Sequence, residues 1–477
     1  MSARRAVTGC HHQRQGATVW IASTAYAHWL LLSHCPPVIR YGGASYEAAC
    51  TKSSILSSAA CTGRRATAKP ASAPPAPPAG ACAGRGIRFL MAELPRRTAV
   101  PTIERLAFTG LEYVMPPEKA FGMSRAVGNR RMGGLVEIVT DQGVTGTGEA
   151  FGDPRVTSAY FQMIEPLFRG RSIYDFDHVE AGIRNRMYHL GAQNQLTACL
   201  SGINLALHDA IGRTHGVRAC DLIGGCGTDR LPVYASTGFF SKDPTNQLEH
   251  QLAVVKAHPY AGAKIKIGRG PADDAARCRL AREMLGDDAL LIVDVNGNYT
   301  VDLALACIRA IERYDIHWLE EPLPPADLRG YAELRVRSPI PLAAGEAHYT
   351  LRDFRQLIEG RCVDIVQPSI PTVGGLTEAK RIAVMAQAAN LRVSPHAWGG
   401  AVGLAAALHL VASQPAHPHG DNIPYPTLVE YDMSDNPLRT RLLRTPLALE
   451  EGHLLLPPGP GLGVTLDPAV VAQYRVE

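Results

Sequence analysis

Short apolar runs that close on a polar residue recur through the second half of the chain at an even spacing. LLIVD ends at Asp294, IHWLE at Glu320 and PLAAGE at Glu346, so the closing acids stand 26 residues apart twice in succession. AKIK ends at Lys266, DIVQPS at Ser369, LRVSPH at His396 and TLVE at Glu430. The intervals from Lys266 onward are 28, 26, 26, 23, 27 and 34 residues. Continuous apolar runs of this length suit parallel strands buried on both faces, and each interval has room for one strand and one helix. The pattern predicts a (β/α) repeat with the polar residues gathered at the carboxyl ends of the strands, where such folds keep their active sites. A first strand is predicted at LPVYAST, near Leu231.

Upstream the periodicity changes. Residues 133–150, GGLVEIVTDQGVTGTGEA, alternate apolar and polar positions around a DQG turn and predict a half-buried hairpin. LTACLSGINLALHDAIGRTHG repeats apolar residues at three- and four-residue spacing until Gly216, which predicts a helix. An α+β unit over residues 100–228 is therefore expected to precede the α/β unit, residues 229–435, with 436–477 returning to the first.

The first ninety residues differ from the rest. They hold ten Lys and Arg against one acid, Glu47, and five of the eleven cysteines without zinc-ligand spacing. ASAPPAPPAGACAG from Ala71 is low complexity, and such a stretch cannot bury enough apolar surface to fold alone. The acid-poor run Ala17–Leu32 is compatible with a transit peptide. A start at Met91 is the favoured reading, with residues 1–95 a low-complexity or mis-assigned segment. The remainder carries 38 bases and 43 acids, so the overall net charge of +4 says little about its partners. The whole chain is 46% hydrophobic and 19% charged, and most of it is ordinary globular material. Nothing points to nucleic acid or membrane. The six later cysteines are scattered and expected to be reduced, as in a cytoplasmic protein.

Three carboxylates brought to one rim repel one another unless a cation lies between them. Hard oxygen donors without Cys or His at ligand spacing favour Mg²⁺ or Mn²⁺ over zinc. Lys264 and Lys266 alternate on one strand, so both side chains face the same way. Together these residues suggest removal of a proton α to a carboxylate, with the resulting charge stabilised by the metal and by Lys264.

The motifs KIKIG, VDVNGNY, WLEEP, AAGE, DIVQPS, GGLTEAKRIA and SPHAW, in that order, resemble the enolase superfamily and within it the mandelate racemase/muconate lactonizing enzyme group. The resemblance covers about residues 101–477. It implies a modified TIM barrel, (β/α)₇β, with an N-terminal α+β capping domain, and Mg²⁺ on Asp294, Glu320 and Glu346. It further implies Lys266 as the base on one face of the substrate, His396 as acid or base on the other, and Lys264, Asn296, Ser369 and Glu430 as substrate-binding residues. Lys264 is expected beside the substrate carboxylate, where it lowers the pKa of Lys266; Glu430 is a hydrogen-bond donor if protonated.

One departure matters. Members that use the histidine hold it with an aspartate where this chain has Ser369, which weakens His396 as a base and leaves it suited to donate a proton to a departing hydroxyl. The expected activity is a Mg²⁺-dependent aldonate or aldarate dehydratase that forms an enediolate and yields a 2-keto-3-deoxy acid. The alternatives are a racemase or epimerase of a 2-hydroxy acid, less favourably a cycloisomerase, or a metal-dependent binder without catalysis. The expected partner is a small-molecule carboxylate, and the expected assembly a homo-oligomer. The loop 113–131 offers Lys119, Phe121, Ser124 and Arg125 as specificity residues; Tyr299, Trp398 and His348 are further pocket candidates.

Overall fold

The computed structural model describes residues 100–190, 194–415, 417 and 427–476. The expectations for residues 1–95 lie outside the described residues.

The regular apolar runs become parallel strands. In chain order these are Arg230–Thr237, Gly262–Lys266, Leu290–Asp294, Ile316–Glu320, Leu342–Ala344, Ile365–Val366, Arg392–Val393 and Val429–Asp432. A helix follows each of the first seven, from Leu248–Lys256 through Ala401–Ala412. Neighbours in sequence pair in parallel from Arg230–Thr237 to Arg392–Val393, and Val429–Asp432 returns to pair with Arg230–Thr237. Among the described residues no backbone ladder joins Arg392–Val393 to Val429–Asp432. Their junction is made instead by the Ser394 hydroxyl, which donates to the Leu428 carbonyl at 2.9 Å. The sheet is thus barrel-like, with a side-chain closure at its last joint.

Leu291, Ile292 and Val293 are wholly buried, as are their counterparts on neighbouring strands. Each such side chain contributes roughly 1.5–3 kcal/mol relative to exposure. Odd and even positions alternate between the helical layer and the barrel interior, where Ile292 packs with Tyr234, Trp318, Ala343 and Ile365.

The capping unit is an antiparallel sheet. Ile103–Val114 pairs with Arg130–Thr140, which pairs with Thr145–Phe151, and Arg475–Val476 near the chain's end adds an edge strand on Gly110 and Leu111. The helix Gln195–His215 lies unusually close to this sheet because Gly146 and Gly148 face it. A Cβ at Gly148 would stand 2.0 Å from the Gly202 carbonyl oxygen, and one at Gly146 2.1 Å from that of Ala206. Residues 147 and 149 then point to the opposite face.

Asp209 on this helix is buried and fastens three parts of the chain. It accepts from the Thr147 backbone N–H at 2.9 Å, the Leu462 N–H at 2.8 Å and Arg213 Nε at 2.9 Å. Asp209→Ala leaves two buried backbone donors unpaired, so it is expected to destabilise the protein by about 2–4 kcal/mol, measured by denaturant unfolding. A loss below 1 kcal/mol would mean the three contacts are replaced at no cost. No helix among the described residues is long and apolar enough to cross a membrane.

Candidate active site

Strand register brings the predicted residues together. Lys266 pairs with Asp294, and Asp294 with Glu320, so three successive strands present them side by side. Glu346 lies two residues beyond its strand, Leu342–Ala344, after Gly345 turns the chain at φ +147. A Cβ at Gly345 would sit 2.8 Å from the Gln367 backbone, so the turn admits only glycine. Asp294, Glu320 and Glu346 offer oxygen atoms that all lie within 4.8 Å of one another.

The cations and donors around this cluster are close. Lys266 Nζ is 2.5 Å from Asp294 Oδ2, and Lys264 Nζ is 2.5 Å from Glu320 Oε1, 2.8 Å from Glu430 Oε1 and 3.9 Å from Asp294 Oδ2. The second Glu320 oxygen accepts from Gln367 Nε2 at 2.7 Å and from Trp318 Nε1 at 3.1 Å. Asp294 accepts from the Asn296 backbone N–H at 2.8 Å and from its side-chain Nδ2 at 3.1 Å. Asn296 adopts φ 53, which folds its amide back onto the aspartate. Its nitrogen therefore serves Asp294, and its buried Oδ1 has no partner among the described residues.

Burial pushes the Lys264 ammonium down, but Glu320 and Glu430 outweigh it and hold the group well above the ordinary lysine range. Burial likewise lowers Lys266, and Lys264 lowers it as expected, but the neighbouring acids, Asp294 foremost, leave it raised overall. Desolvation favours a neutral Glu430, yet Lys264 holds its carboxyl far below the usual range. Glu430 faces Lys264 with Oε1 and accepts the Ala397 backbone N–H with Oε2 at 3.0 Å, so the condition set for a donor role, protonation, finds no support here. Burial raises the Asp294 carboxyl, with Lys266 as the chief opposing influence.

His396 stands on the far side of the cluster, Nε2 3.5 Å from Glu346 Oε2. Ser369 and His396 form an isolated parallel bridge, each three residues past its short strand, so their backbones are adjacent as expected. Their side chains do not engage: His396 Nδ1 and Ser369 Oγ are both buried without a hydrogen-bond partner among the described residues. Glu346 Oε2 is also buried and without a hydrogen bond. An orphaned carboxylate oxygen beside two others fits a divalent cation held by oxygen ligands.

Aromatic residues cover Lys266. Its Nζ lies 6.0 Å from the Trp398 ring centroid, and Trp398 meets Phe239 edge-on at 5.4 Å. Phe239 contacts Phe121 from the cap loop, at 5.1 Å between centroids. Ser124 donates to the Val295 carbonyl at 2.9 Å, which fixes that loop against the barrel rim. His348 is buried against Phe354. Tyr299, a pocket candidate by sequence, instead donates to Asp274 at 2.5 Å and accepts from the Gly270 N–H, an internal brace behind the Lys266 strand.

Two arginines and a glutamate escaped the sequence reading. Arg131 stacks on Trp398 at 3.9 Å and on Phe121 at 4.7 Å, bonds to Ser434 and lies 3.5 Å from Asp432. Glu149 and Arg439 hold the loop after His396. For Glu149 the available signal was a charged residue within the predicted hairpin 133–150; Arg131 fell in the predicted loop 113–131 and had none.

Residues 111–224 match the family described as Mandelate racemase / muconate lactonizing enzyme, N-terminal domain, and residues 247–470 match Enolase C-terminal domain-like. The D-galactarolactone cycloisomerase of Agrobacterium fabrum is 33% identical over 351 residues, 73% of this chain and 92% of that protein. The chain belongs to the enolase superfamily. Within it the chain falls in the mandelate racemase/muconate lactonizing enzyme group. The arabinonate dehydratase of Saccharolobus solfataricus is 29% identical, over 71% of this chain and 89% of that protein. The crystal structure of the 3,6-anhydro-D-galactonate cycloisomerase from Zobellia galactanivorans superposes with a TM-score of 0.70 at 29% identity, covering 79% of this chain and 100% of that one. Enolase-superfamily members bind a divalent metal, and the buried triad here has the donors for one.

Proposed function

We propose that this protein is a Mg²⁺-dependent dehydratase of sugar acids, aldonates or aldarates, in which Lys266 removes the α-proton and His396 protonates the departing β-hydroxyl. The observation that carries this reading is the opposed placement of the two groups: Lys266 touches Asp294 at one end of the acid cluster, and His396 approaches Glu346 at the other. Asp294, Glu320 and Glu346 would hold a divalent ion, which when bound would polarise the substrate carboxylate and offset the acid charge that raises Lys266. All its ligands being oxygen, Mg²⁺ is the fitting ion, with Mn²⁺ a substitute.

Lys266 takes the α-hydrogen as a proton, the C–O bond at the β-carbon breaks, and that oxygen leaves as water with the proton from His396. The enol left behind tautomerises to the 2-keto-3-deoxy acid. Lys264, wholly buried and held charged by Glu320 and Glu430, provides fixed positive charge beside the developing anion. The aromatic cover of Trp398, Phe239 and Phe121 limits water at Lys266.

Elimination needs one base and one acid, whereas racemisation needs two opposed bases. His396 Nδ1 has no carboxylate bonded to it, which favours elimination. A cycloisomerase, the less favoured alternative by sequence, moves ahead of the racemase as the second reading because of the 33% identical relative. Elimination of a lactone's ring oxygen would use Lys266 in the same way, the C–O bond at the β-carbon breaking to release a carboxylate in place of water.

The test is a panel of aldonates, aldarates and their lactones with Mg²⁺, assayed for 2-keto-3-deoxy acid and for α-proton exchange with deuterated solvent. Dehydration of an open acid supports the proposal; turnover confined to lactones selects the second reading; exchange without elimination throughout the panel refutes both. In the active case His396→Asn is expected to keep exchange and to lose dehydration by roughly 10²–10⁴-fold. Equal loss of the two would remove His396 from the leaving-group step. The capping unit 100–228, the barrel unit 229–435 and the returning segment 436–477 belong to the same proposal, as do a homo-oligomeric assembly and a cytoplasmic location. The six described cysteines are all unpaired, which suits a reducing compartment.

A further inference from the structure

The segment that carries His396 and Trp398 is gripped from several parts of the chain. Arg439 Nη2 donates to the Ala397 carbonyl at 2.5 Å, and Asn436 Nδ2 to the Gly399 carbonyl at 2.9 Å. From the cap sheet, Glu149 accepts the backbone N–H of Gly400 at 2.6 Å and that of Gly403 at 2.8 Å. These two donors belong to the first turn of the helix Ala401–Ala412, whose unpaired N–H groups attract an anion.

The fit is tight. A Cβ at Gly400 would lie 2.7 Å from Glu149 Oε2, one at Gly399 2.9 Å from Oε1, and one at Gly403 3.4 Å from Oε1. The glycines of HAWGGAVG thus make room for this one carboxylate. Glu149 reaches them because Gly148 and Ala150 turn to the opposite face, against the helix Gln195–His215. Burial pushes the Glu149 carboxyl up, against the Gly403 and Gly400 N–H groups and then Arg439, which is buried across the loop with Nε and Nη1 unpaired among the described residues. Carboxylate and guanidinium therefore hold opposite polarities of one short backbone segment, the N–H groups and the carbonyls.

We propose that Glu149 is a positioning residue for the leaving-group step: with Arg439 it fixes the His396–Gly400 segment, so that docking of the cap sets the aim of His396, while Lys266 is held separately by Asp294 at 2.5 Å and meets the segment through the Trp398 ring at 6.0 Å. This rests on the roles assigned above to Lys266 and His396. A helix cap of purely structural value would affect both half-reactions alike, because it would act through stability of the fold.

The experiment uses the full chain with Mg²⁺, as wild type, Glu149→Gln and the independent variant Arg439→Lys. Three readouts are taken: α-proton exchange and dehydration of the aldonate or aldarate turned over fastest by the wild type, and the ¹⁵N-histidine ring signals, with that of His396 assigned by its loss in His396→Asn. Dehydration is expected to fall roughly a hundredfold, the scale of a misplacement of about 1 Å, while exchange is retained. The His396 signal is expected to broaden or split, and that of His208, buried on the cap helix, to stay in place. A parallel fall of exchange and dehydration overturns the proposal, and so does an unmoved His396 signal in both variants. If the wild type dehydrates nothing, the reaction reading fails by itself, and the ring signal alone then upholds or rejects the positioning role.

Discussion

Lys266→Met is expected to remove α-proton exchange and dehydration together, each by about four orders of magnitude, while the protein still folds and still binds its divalent ion. Of all the groups at the cluster, Lys266 is the amine that reaches the rim: Lys264 is wholly buried and fully occupied by Glu320 and Glu430, whereas Lys266 has 7% exposure and a single carboxylate, Asp294. A base must be neutral when it acts, and Asp294 is the influence that opposes neutrality here. The same aspartate is a proposed ligand, so the charge that holds the proton on Lys266 is relieved when the site is complete. Methionine preserves the length and apolar contact under Trp398 without the amine. Exchange measured by mass spectrometry in deuterated solvent reports the base alone, ahead of any elimination. Exchange that persisted in Lys266→Met would assign proton removal to His396 and turn the proposed faces of the reaction around.

The barrel rim was legible in the sequence because its information is local and repeated. Each ligand closes its own apolar run, and equal intervals deliver Asp294 and Glu320 to paired positions on neighbouring strands. Side-chain commitments were less legible. The alternation of Lys264 and Lys266 fixes a common face, yet it does not say that Lys264 is spent on Glu320 and Glu430 while Lys266 meets Asp294. Likewise the adjacency of Ser369 and His396 follows from the repeat, but the missing bond between them depends on how both side chains rotate. Asn296 sits beside the metal motif by sequence and proves to brace Asp294 because a left-handed backbone turns its amide inward. Least legible were Glu149 and Arg131, whose partners lie far along the chain. Glu149 meets Gly400 across 251 residues, and Arg131 meets Ser434 across 303. No periodicity encodes such pairings; they follow from the way the cap sheet is laid against the barrel. Tyr299, in VDVNGNY, was a pocket candidate with packing as the default, and its hydroxyl turns back to Asp274 in keeping with the default.

Addition of Mg²⁺ is expected to raise the unfolding midpoint of the wild type, by an amount corresponding to about 2.7 kcal/mol at a concentration 100 times the dissociation constant, and its removal by chelation to abolish turnover. The three ligands are not equivalent in this test. Asp294 and Glu320 each meet a buried lysine at 2.5 Å, so Asp294→Asn takes from Lys266 its ion-pair partner and Glu320→Gln takes from Lys264 one of two, Glu430 at 2.8 Å being the other; both changes lower the midpoint even without metal, the first more. Glu346 has no lysine within ion-pair distance; its neighbour is His396 at 3.5 Å, and its Oε2 accepts no hydrogen bond. Glu346→Gln should therefore leave the metal-free midpoint nearly unchanged, or raise it slightly by easing repulsion among the acids, while abolishing both the Mg²⁺-induced rise and dehydration. Measured side by side, the three variants separate ligation from charge balance. A Mg²⁺-induced rise in Glu346→Gln equal to that of the wild type would take Glu346 out of the ligand set and leave only two carboxylates to hold the ion. Loss of the rise with full retention of turnover would instead separate metal binding from the chemistry, and the dehydratase reading would fall with it.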